Sequence, residues 1–229
     1  RQAQREVIAI DGKTLRRSHD RRNGIEALHL VHAWASENHL MLGAVKTEGD
    51  SNEIPAIPKL LKLLELKGAI VTLDAMGTQR EIAQEIVERK ADYVMALKGN
   101  QGLLHEDVRV YWEDEALRKE ADCYEVVEKG HGRIEQRRYW MTTDVDWLEP
   151  KAEWAGLKSI GMVEAQRTVG GQTTTELRYY LSSLKADARE LAKAVRSHWT
   201  IENGLHWVLD IAFREDECRV RQGHAAQNF

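Results

Sequence analysis

Cysteine is nearly missing from this 229-residue chain, with Cys123 and Cys218 the two present. Two thiols give no disulfide framework, and Cys218 has no second cysteine near it to start a zinc site. A reducing, cytoplasmic setting is implied, with both thiols expected in the interior. Long apolar runs are missing too, so no segment is fit to span a membrane, and no signal peptide opens the chain. Internal repeats and low-complexity tracts are absent. Nor is there a basic excess. Lys and Arg number 33 against 37 Asp and Glu, a net charge of −4, which speaks against a uniformly basic nucleic-acid binder.

The residues that are present make an ordinary globular composition, 42% hydrophobic and 31% charged. The length fits one large domain, or a domain carrying a sizeable insertion. The charge is uneven. Arginines gather at Arg16, Arg17, Arg21 and Arg22, at Arg133, Arg137 and Arg138, and at Arg214, Arg219 and Arg221. Local patches matter more to a DNA contact than the total does. The chain begins at Arg1 without Met and stops at Phe229, just after "QGHAAQN". Both ends read as cuts through a longer protein.

The hydrophobic pattern predicts strands over 6–11, 27–36 and 39–48, the last two joined by a short hairpin at "ENH". A helix is expected across "NEIPAIPKLLKLLELKG", with Pro55 in its first turn and Gly68 as its stop. "AIVTLDA" (69–75) is a continuous apolar strand suited to a sheet covered on both faces. An amphipathic helix over "TQREIAQEIVERK" and a strand over "DYVMALKG" come after it. A long helix, "NQGLLHEDVRVYWEDEALRKEA", comes next. The order β-β-β-α-β-α-β is that of an α/β, RNase H-like mixed sheet flanked by helices. From 122 to 184 the texture is β-rich, with "VGGQ" a hairpin turn signal. A helical period then resumes over "DARELAKAVRSHWTIENGLHWVLDIAF". The expected division is 1–121 for the first part of the core, 122–184 for a β-rich insertion and 185–229 for the closing helical part.

Asp11 ends the first predicted strand and Asp74 the fourth, 63 positions later (74 − 11). In this topology the two strands are neighbours, which sets the carboxylates side by side. Close carboxylates raise one another's pKa unless a cation is present, and hard divalent ions take oxygen ligands. A third acid on a flanking helix would complete a two-metal site of the kind that activates a water or 3′-hydroxyl. Glu202, in "RSHWTIENGLHW", is the best candidate. Asp210, eight residues on and on the same face of an unbroken helix, is the reserve. Taken singly, each Asp is as readily a turn or cap residue and Glu202 a solvated helix residue.

The stretches "IAIDGKTLRRS", "LDAMGTQ", "ALKGNQ", "HGRIEQRR" and "HWTIENGLHWVLDIAFREDECRVR" closely resemble DDE transposases of insertion sequences, in order over essentially the whole chain. The match is closest to the ISAs branch, which includes the H-repeat-associated proteins. The resemblance implies an RNase H-like catalytic domain with Asp11, Asp74 and Glu202 as the acidic triad. The 128 positions between Asp74 and Glu202 (202 − 74) then hold the family's β-rich insertion before the glutamate helix. It further implies Mg²⁺ or Mn²⁺, two ions, as cofactor. Double-stranded DNA, as element ends and target, is the implied partner, with a homodimer in the synaptic complex and a nucleoid-associated, cytoplasmic location. Family members carry an additional N-terminal region that is absent here. The sequence departs from the wider pattern where many relatives place Tyr, Arg and Lys seven and four residues before and seven after the glutamate. Those positions hold Val195, His198 and Leu209.

Further DNA contacts are expected from Lys13, Arg16 and Arg17 beside the first acid, from Lys98 at the head of a helix, and from Arg133 and Arg137. Arg133, Glu135 and Arg137 share one face of a strand. His198 is set to touch a phosphate. Each has a plainer reading as a solvated loop or hairpin. Asn100 reads as a cap, His206 as a buried neighbour of Glu202, and Trp199 and Trp207 as packing for the glutamate helix. Two alternatives stand beside the transposase. One is an inactive, truncated DNA-binding relic of a mobile element. The other is a haloacid dehalogenase-like phosphatase, which needs an acid two positions after Asp11, where Lys13 stands.

Overall fold

The first strand, β1 (Val7–Leu15), is the axis of the molecule. In the computed structural model, which describes residues 5–20, 22–24, 26–48, 52–130 and 132–220, it pairs on both sides. Arg21, His131 and Arg221 lie outside the described residues. β1 runs antiparallel to β2 (Leu28–Ala35) along its length, from Ile8↔Ala35 to Leu15↔Leu28. It runs parallel to β4 (Ile70–Leu73) over its first half only, from Val7↔Ile70 to Ile10↔Leu73. Val7 to Ile10 are buried, as a strand covered on both faces requires. Beyond β2 lies β3 (Leu40–Lys46), and beyond β4 lies β5 (Asp92–Leu97), parallel to it. The order β3-β2-β1-β4-β5, antiparallel on one side and parallel on the other, is the RNase H-like layout expected from the sequence.

The sheet does not stop there. Four antiparallel strands continue it, β6 (Asp122–Gly130), β7 (Arg133–Thr142), β8 (Ser159–Val169) and β9 (Gln172–Ser182). β9 pairs with β5 from Val94↔Ser182 to Leu97↔Tyr179, so nine strands form one sheet. The "VGGQ" turn is a two-residue hairpin loop whose Gly170 (φ 56°) and Gly171 (φ 81°) both take the left-handed region such loops demand.

Helices α1 (Ala56–Lys62), α2 (Arg80–Glu88) and α3 (Gly102–Glu113) bury Ile57, Leu61, Ile82, Ile86, Val108 and Trp112 in the main core, which also holds Ile8, Ile10, Tyr93 and Met95. The opposite face is covered by α5 (Ala188–Thr200), whose Leu191, Ala194 and Val195 meet Val7, Val94, Tyr139 and Tyr180. α5 lies close on β8, since a Cβ on Gly161 would stand 2.7 Å from the Leu191 side chain.

Four expectations are corrected. β1 is longer than its apolar run, because β2 goes on pairing with Gly12, Lys13, Thr14 and Leu15. Asp11 is therefore inside the strand rather than at its end. The helix after Gly99 is two helices, α3 and α4 (Glu115–Glu120), divided where the Asp114 side chain accepts hydrogen bonds from the Ala116 and Leu117 N–H groups. The first helix is short, with Pro55 as its N-cap residue and an end at Lys62. Cys123 is exposed on β6 and Cys218 half-buried, so neither thiol belongs to the core.

Candidate active site

Ile10 and Leu73 are the last register pair of β1 and β4. Asp11 and Asp74 are the next residue on each chain, so the topology alone sets them side by side on strands about 4.8 Å apart. Asp11 lies on the β1 face that carries Val7 and Ala9, the face α5 covers. Asp74 also makes a turn: its Oδ1 accepts from the Gly77 N–H at 2.9 Å, and its carbonyl accepts from the Thr78 hydroxyl at 2.9 Å. The plainer reading of Asp74 as a turn residue is thus correct, and it does not remove the carboxylate from the site. Asn100 donates to the Ala75 carbonyl (2.7 Å) and Gln101 to the Thr78 carbonyl (2.6 Å), tying the loop after β5 to the loop that carries Asp74. Asn100→Ala removes one such tie. We expect a stability loss of about 1 kcal/mol in urea titration, with the Asp74 loop exchanging its amide protons faster.

Glu202 arrives from the other side. After α5 the helix widens into a π-helical segment, Ile201–His206, before α6 (Trp207–Ile211). Ile201 is buried against Ala9 and Trp34 in that segment, while Glu202 is exposed to the cavity. Trp34 Nε1 donates to the Thr200 hydroxyl at 3.1 Å and the Ser36 hydroxyl to the Ser197 carbonyl at 3.0 Å, pinning the helix end to β2 and the turn after it. Asp11, Asp74 and Glu202 line one cavity of about 220 Å³, together with Lys98, Arg178, His198 and Trp199. Among the described residues, no three His, Cys, Asp or Glu side chains stand close enough to hold a metal ion.

The electrostatics fit crowded anions. Burial, then the charges of Glu53, Asp74 and Glu202, push the Asp11 carboxyl up to about 7. Burial also raises Glu202, with Arg178 opposing and Asp74 adding to the rise. His206 Nδ1 is 3.6 Å from Asp11 Oδ2, as its expected place beside the site implies, and burial takes its imidazole down to about 4.

Several predicted contacts sit elsewhere. Lys13 is not a DNA handhold, because its side chain is 6% exposed and its Nζ meets Asp210 (2.5 Å), Glu215 (3.4 Å) and Asp216 (3.5 Å). Asp210 is correspondingly Lys13's partner and not a reserve ligand. The π-helical turn adds a residue to the helix and rotates the residues after it by about 100°. His198 brings no positive charge to a phosphate, since burial drops it to about 4 and its Nδ1 bonds the Thr72 hydroxyl at 2.9 Å. Arg16 is 80% exposed beside Asp216, and Arg17 is exposed next to it. Lys98 is exposed at the cavity rim. Arg133 and Arg137 share Glu135, with Arg137 also on Glu128, and both line a second, larger groove. Trp199 is 36% and Trp207 58% exposed, so neither is simple packing.

Two residues escape the sequence reading. Glu53 sits under Gly12, where a Cβ would meet its carboxylate at 2.0 Å, and it bonds His29 at 2.8 Å. Arg178 reaches the cavity from β9. Only the pairing of β9 with β5 brings it there, and nothing local in "ELRYYL" announces that pairing.

Residues 2–229 match the model of the transposase DDE domain, and the chain belongs to that family. It is 44% identical over 227 residues to "Putative transposase YncI" of Escherichia coli O157:H7, covering 97% of this chain and 58% of that protein. It is 41% identical over 232 residues to "H repeat-associated putative transposase YhhI" of Escherichia coli K12, covering 98% and 61%. The chain thus spans about three-fifths of the length of these relatives. A cryo-EM structure of the piggyBac transposase synaptic complex with hairpin DNA aligns over 97% of this chain and 43% of its own, at a TM-score of 0.49 and 12% identity.

Proposed function

We propose that this is the catalytic domain of an insertion-sequence transposase, which cuts a DNA strand at the element's end and joins it to target DNA in a metal-dependent reaction. The observation that carries this reading is the pairing of Asp11 with Asp74 one residue past the Ile10↔Leu73 rung, on a cavity that Glu202 shares. On this reading 1–121 and 185–229 are the catalytic core and 122–184 is an insertion. The partners are double-stranded DNA and a second copy of the chain, in the nucleoid.

The donor chemistry suits Mg²⁺ or Mn²⁺, since the acids offer only oxygens, and burial with the charges of Glu53, Asp74 and Glu202 raises the Asp11 carboxyl to about 7, a crowding of anions that a divalent cation would relieve. Asp11, Asp74 and Glu202, which line that cavity, are the residues that would hold the ions. Bound there, such ions lower the pKa of the attacking hydroxyl and take up charge on the leaving oxygen. The protein's own part is placement. The Asn100 and Gln101 bonds fix the Asp74 loop, Trp34 fixes the Glu202 helix, and Lys98 and Arg178 bring positive charge to the rim. Hydrolysis forms a bond from water oxygen to phosphorus and breaks the phosphorus–O3′ bond. The freed 3′-hydroxyl then attacks a target phosphodiester in line, forming a new O3′–phosphorus bond as the target strand's own phosphorus–O3′ bond breaks and its O3′ leaves as a hydroxyl.

The second reading, an inert DNA-binding relic, is favoured by the lack of any closed metal-binding cluster among the described residues. One assay separates the two. A duplex ending in the element's terminus is incubated with Mg²⁺, Mn²⁺ or EDTA, and Mn²⁺ binding is followed by calorimetry. Nicking with either metal and none in EDTA is the expected result. Nicking that persists in EDTA sinks the metal-dependent reading, and DNA binding without cutting or Mn²⁺ uptake establishes the relic.

A further inference from the structure

Two cavities meet at Arg178. One is the acid-lined cavity, and the other is an open groove of about 750 Å³ along the β6–β9 strands and the end of α5. They share Glu176, Arg178 and Trp199. The groove is lined by six Lys or Arg side chains against three Glu, so it favours a polyanion that runs up to the acids.

We infer that Arg178 holds the scissile phosphate against Glu202, supplying from a sheet strand the cation missing from positions 195, 198 and 209 around the glutamate. This rests on the transposase reading of the same cavity. The helix offers Val195, His198 and Leu209 at the positions where a clamp is expected, and His198 is tied to Thr72. Strand alternation puts Glu176, Arg178 and Tyr180 on one face of β9, with Tyr180 buried under α5 and Arg178 at the margin. The guanidinium is already oriented. Its Nε and Nη2 each bond Glu176 at 2.8 Å, and its Cζ lies 5.0 Å from the centroid of Trp199, one helical turn before Glu202. A planar fork held in this way matches the paired oxygens of a phosphate, and donors remain after Glu176 is served. The nearby Lys98 is a point charge on an exposed loop residue and has no such frame.

The test compares wild type, Arg178→Gln and Arg178→Lys, each checked by thermal melting. The DNA is a duplex carrying the element's terminus, made with either a normal or an uncharged methylphosphonate linkage at the scissile position. Arg178→Gln is expected to slow single-turnover cleavage about 100-fold. It is also expected to flatten the slope of log affinity against log salt by about one on the normal duplex, and to bind the methylphosphonate duplex as wild type does. Lysine restores the salt slope without restoring the rate. Cleavage by Arg178→Gln within threefold of wild type overturns the inference, as does an equal affinity loss on both duplexes. Should Gln not fold, the Lys variant decides on rate against slope. If wild type cuts nothing, the transposase reading fails, while the two-duplex binding comparison still decides whether Arg178 meets that phosphate.

Discussion

Asp11→Asn is expected to abolish strand cleavage and, in the same molecule, to make the metal-free protein more stable at neutral pH. The two effects share a cause. Asp11 is side by side with Asp74 at the β1–β4 junction and shares the cavity of Glu202, and burial with these charges lifts its pKa from 3.8 to about 7. Between those values the folded protein keeps a proton that the unfolded chain releases, so stability falls as pH rises through that interval. The interval is about 3 units, worth about 4 kcal/mol at 1.36 kcal/mol per unit, and the loss is complete above pH 7. Asparagine never ionises and escapes it. The variant should match wild type near pH 4 and exceed it by up to about 4 kcal/mol at pH 8 in urea titration without metal. Mg²⁺ should close the gap by stabilising wild type alone. On the proposed two-ion reading activity moves the other way, because the amide cannot supply the anionic oxygens the cations would need. A loss of at least about 1,000-fold, some 4 kcal/mol of barrier, is expected in single-turnover cleavage. Equal stability of the two proteins at pH 8, or cutting by the variant within tenfold of wild type, would refute the shared cause.

The stretch around Asp11 also shows how much a sequence can disclose. Apolar runs at 7–10 and 69–73 marked buried strands, the second suited to a sheet covered on both faces, and the topology made them neighbours, so the side-by-side acids were legible. The limit of β1 was not. "GKTLRRS" looks like a polar loop because the continuous apolar run ends at Ile10, yet hydrogen bonding to β2 carries the strand on to Leu15. The burial of Lys13 was invisible for the same reason: its partners lie about 200 residues away on a segment whose path depends on the π-helical turn. That turn has no apolar-period signature, and an unbroken α-helix put Asp210 on the face of Glu202, whereas it meets Lys13 instead. The β-rich character of 122–184 was legible from its residues. That its last strand continues the central sheet, and so brings Arg178 to the acids, depends on a pairing between segments some 80 residues apart. Local composition encodes elements, whereas the site is made by contacts among elements.

Lys13→Met is expected to cost about 3–5 kcal/mol, the range for removing one partner of a buried ion cluster. Methionine keeps the length and apolar stem of lysine, so packing along β1 changes little and the lost charge dominates. Burial pulls the Lys13 pKa down, but Asp210, Asp216 and Glu215 push it up further, and the net shift is upward, so the ammonium is charged at any working pH. Without it, three carboxylates that converge on its ammonium are left facing one another. Glu215, buried and already raised in pKa by that burial, suffers most. The cost should therefore depend on pH. Near pH 7 the full penalty appears, whereas near pH 4 protonation of Glu215, the carboxyl that burial raises, relieves the repulsion and the variant approaches wild type. Urea midpoints at both values measure this directly. A penalty under about 1 kcal/mol at pH 7 would make the cluster a surface ion pair of ordinary worth, and a penalty equal at both pH values would assign the cost to packing. Position supplies a second readout. Lys13 and Asp11 are on the same face of β1 and the cluster fastens α6 and the 3₁₀ turn Glu215–Glu217 beside it. Loss of the lysine should free that segment and raise its amide exchange, while α1 and α2, which pack on the far face, keep theirs.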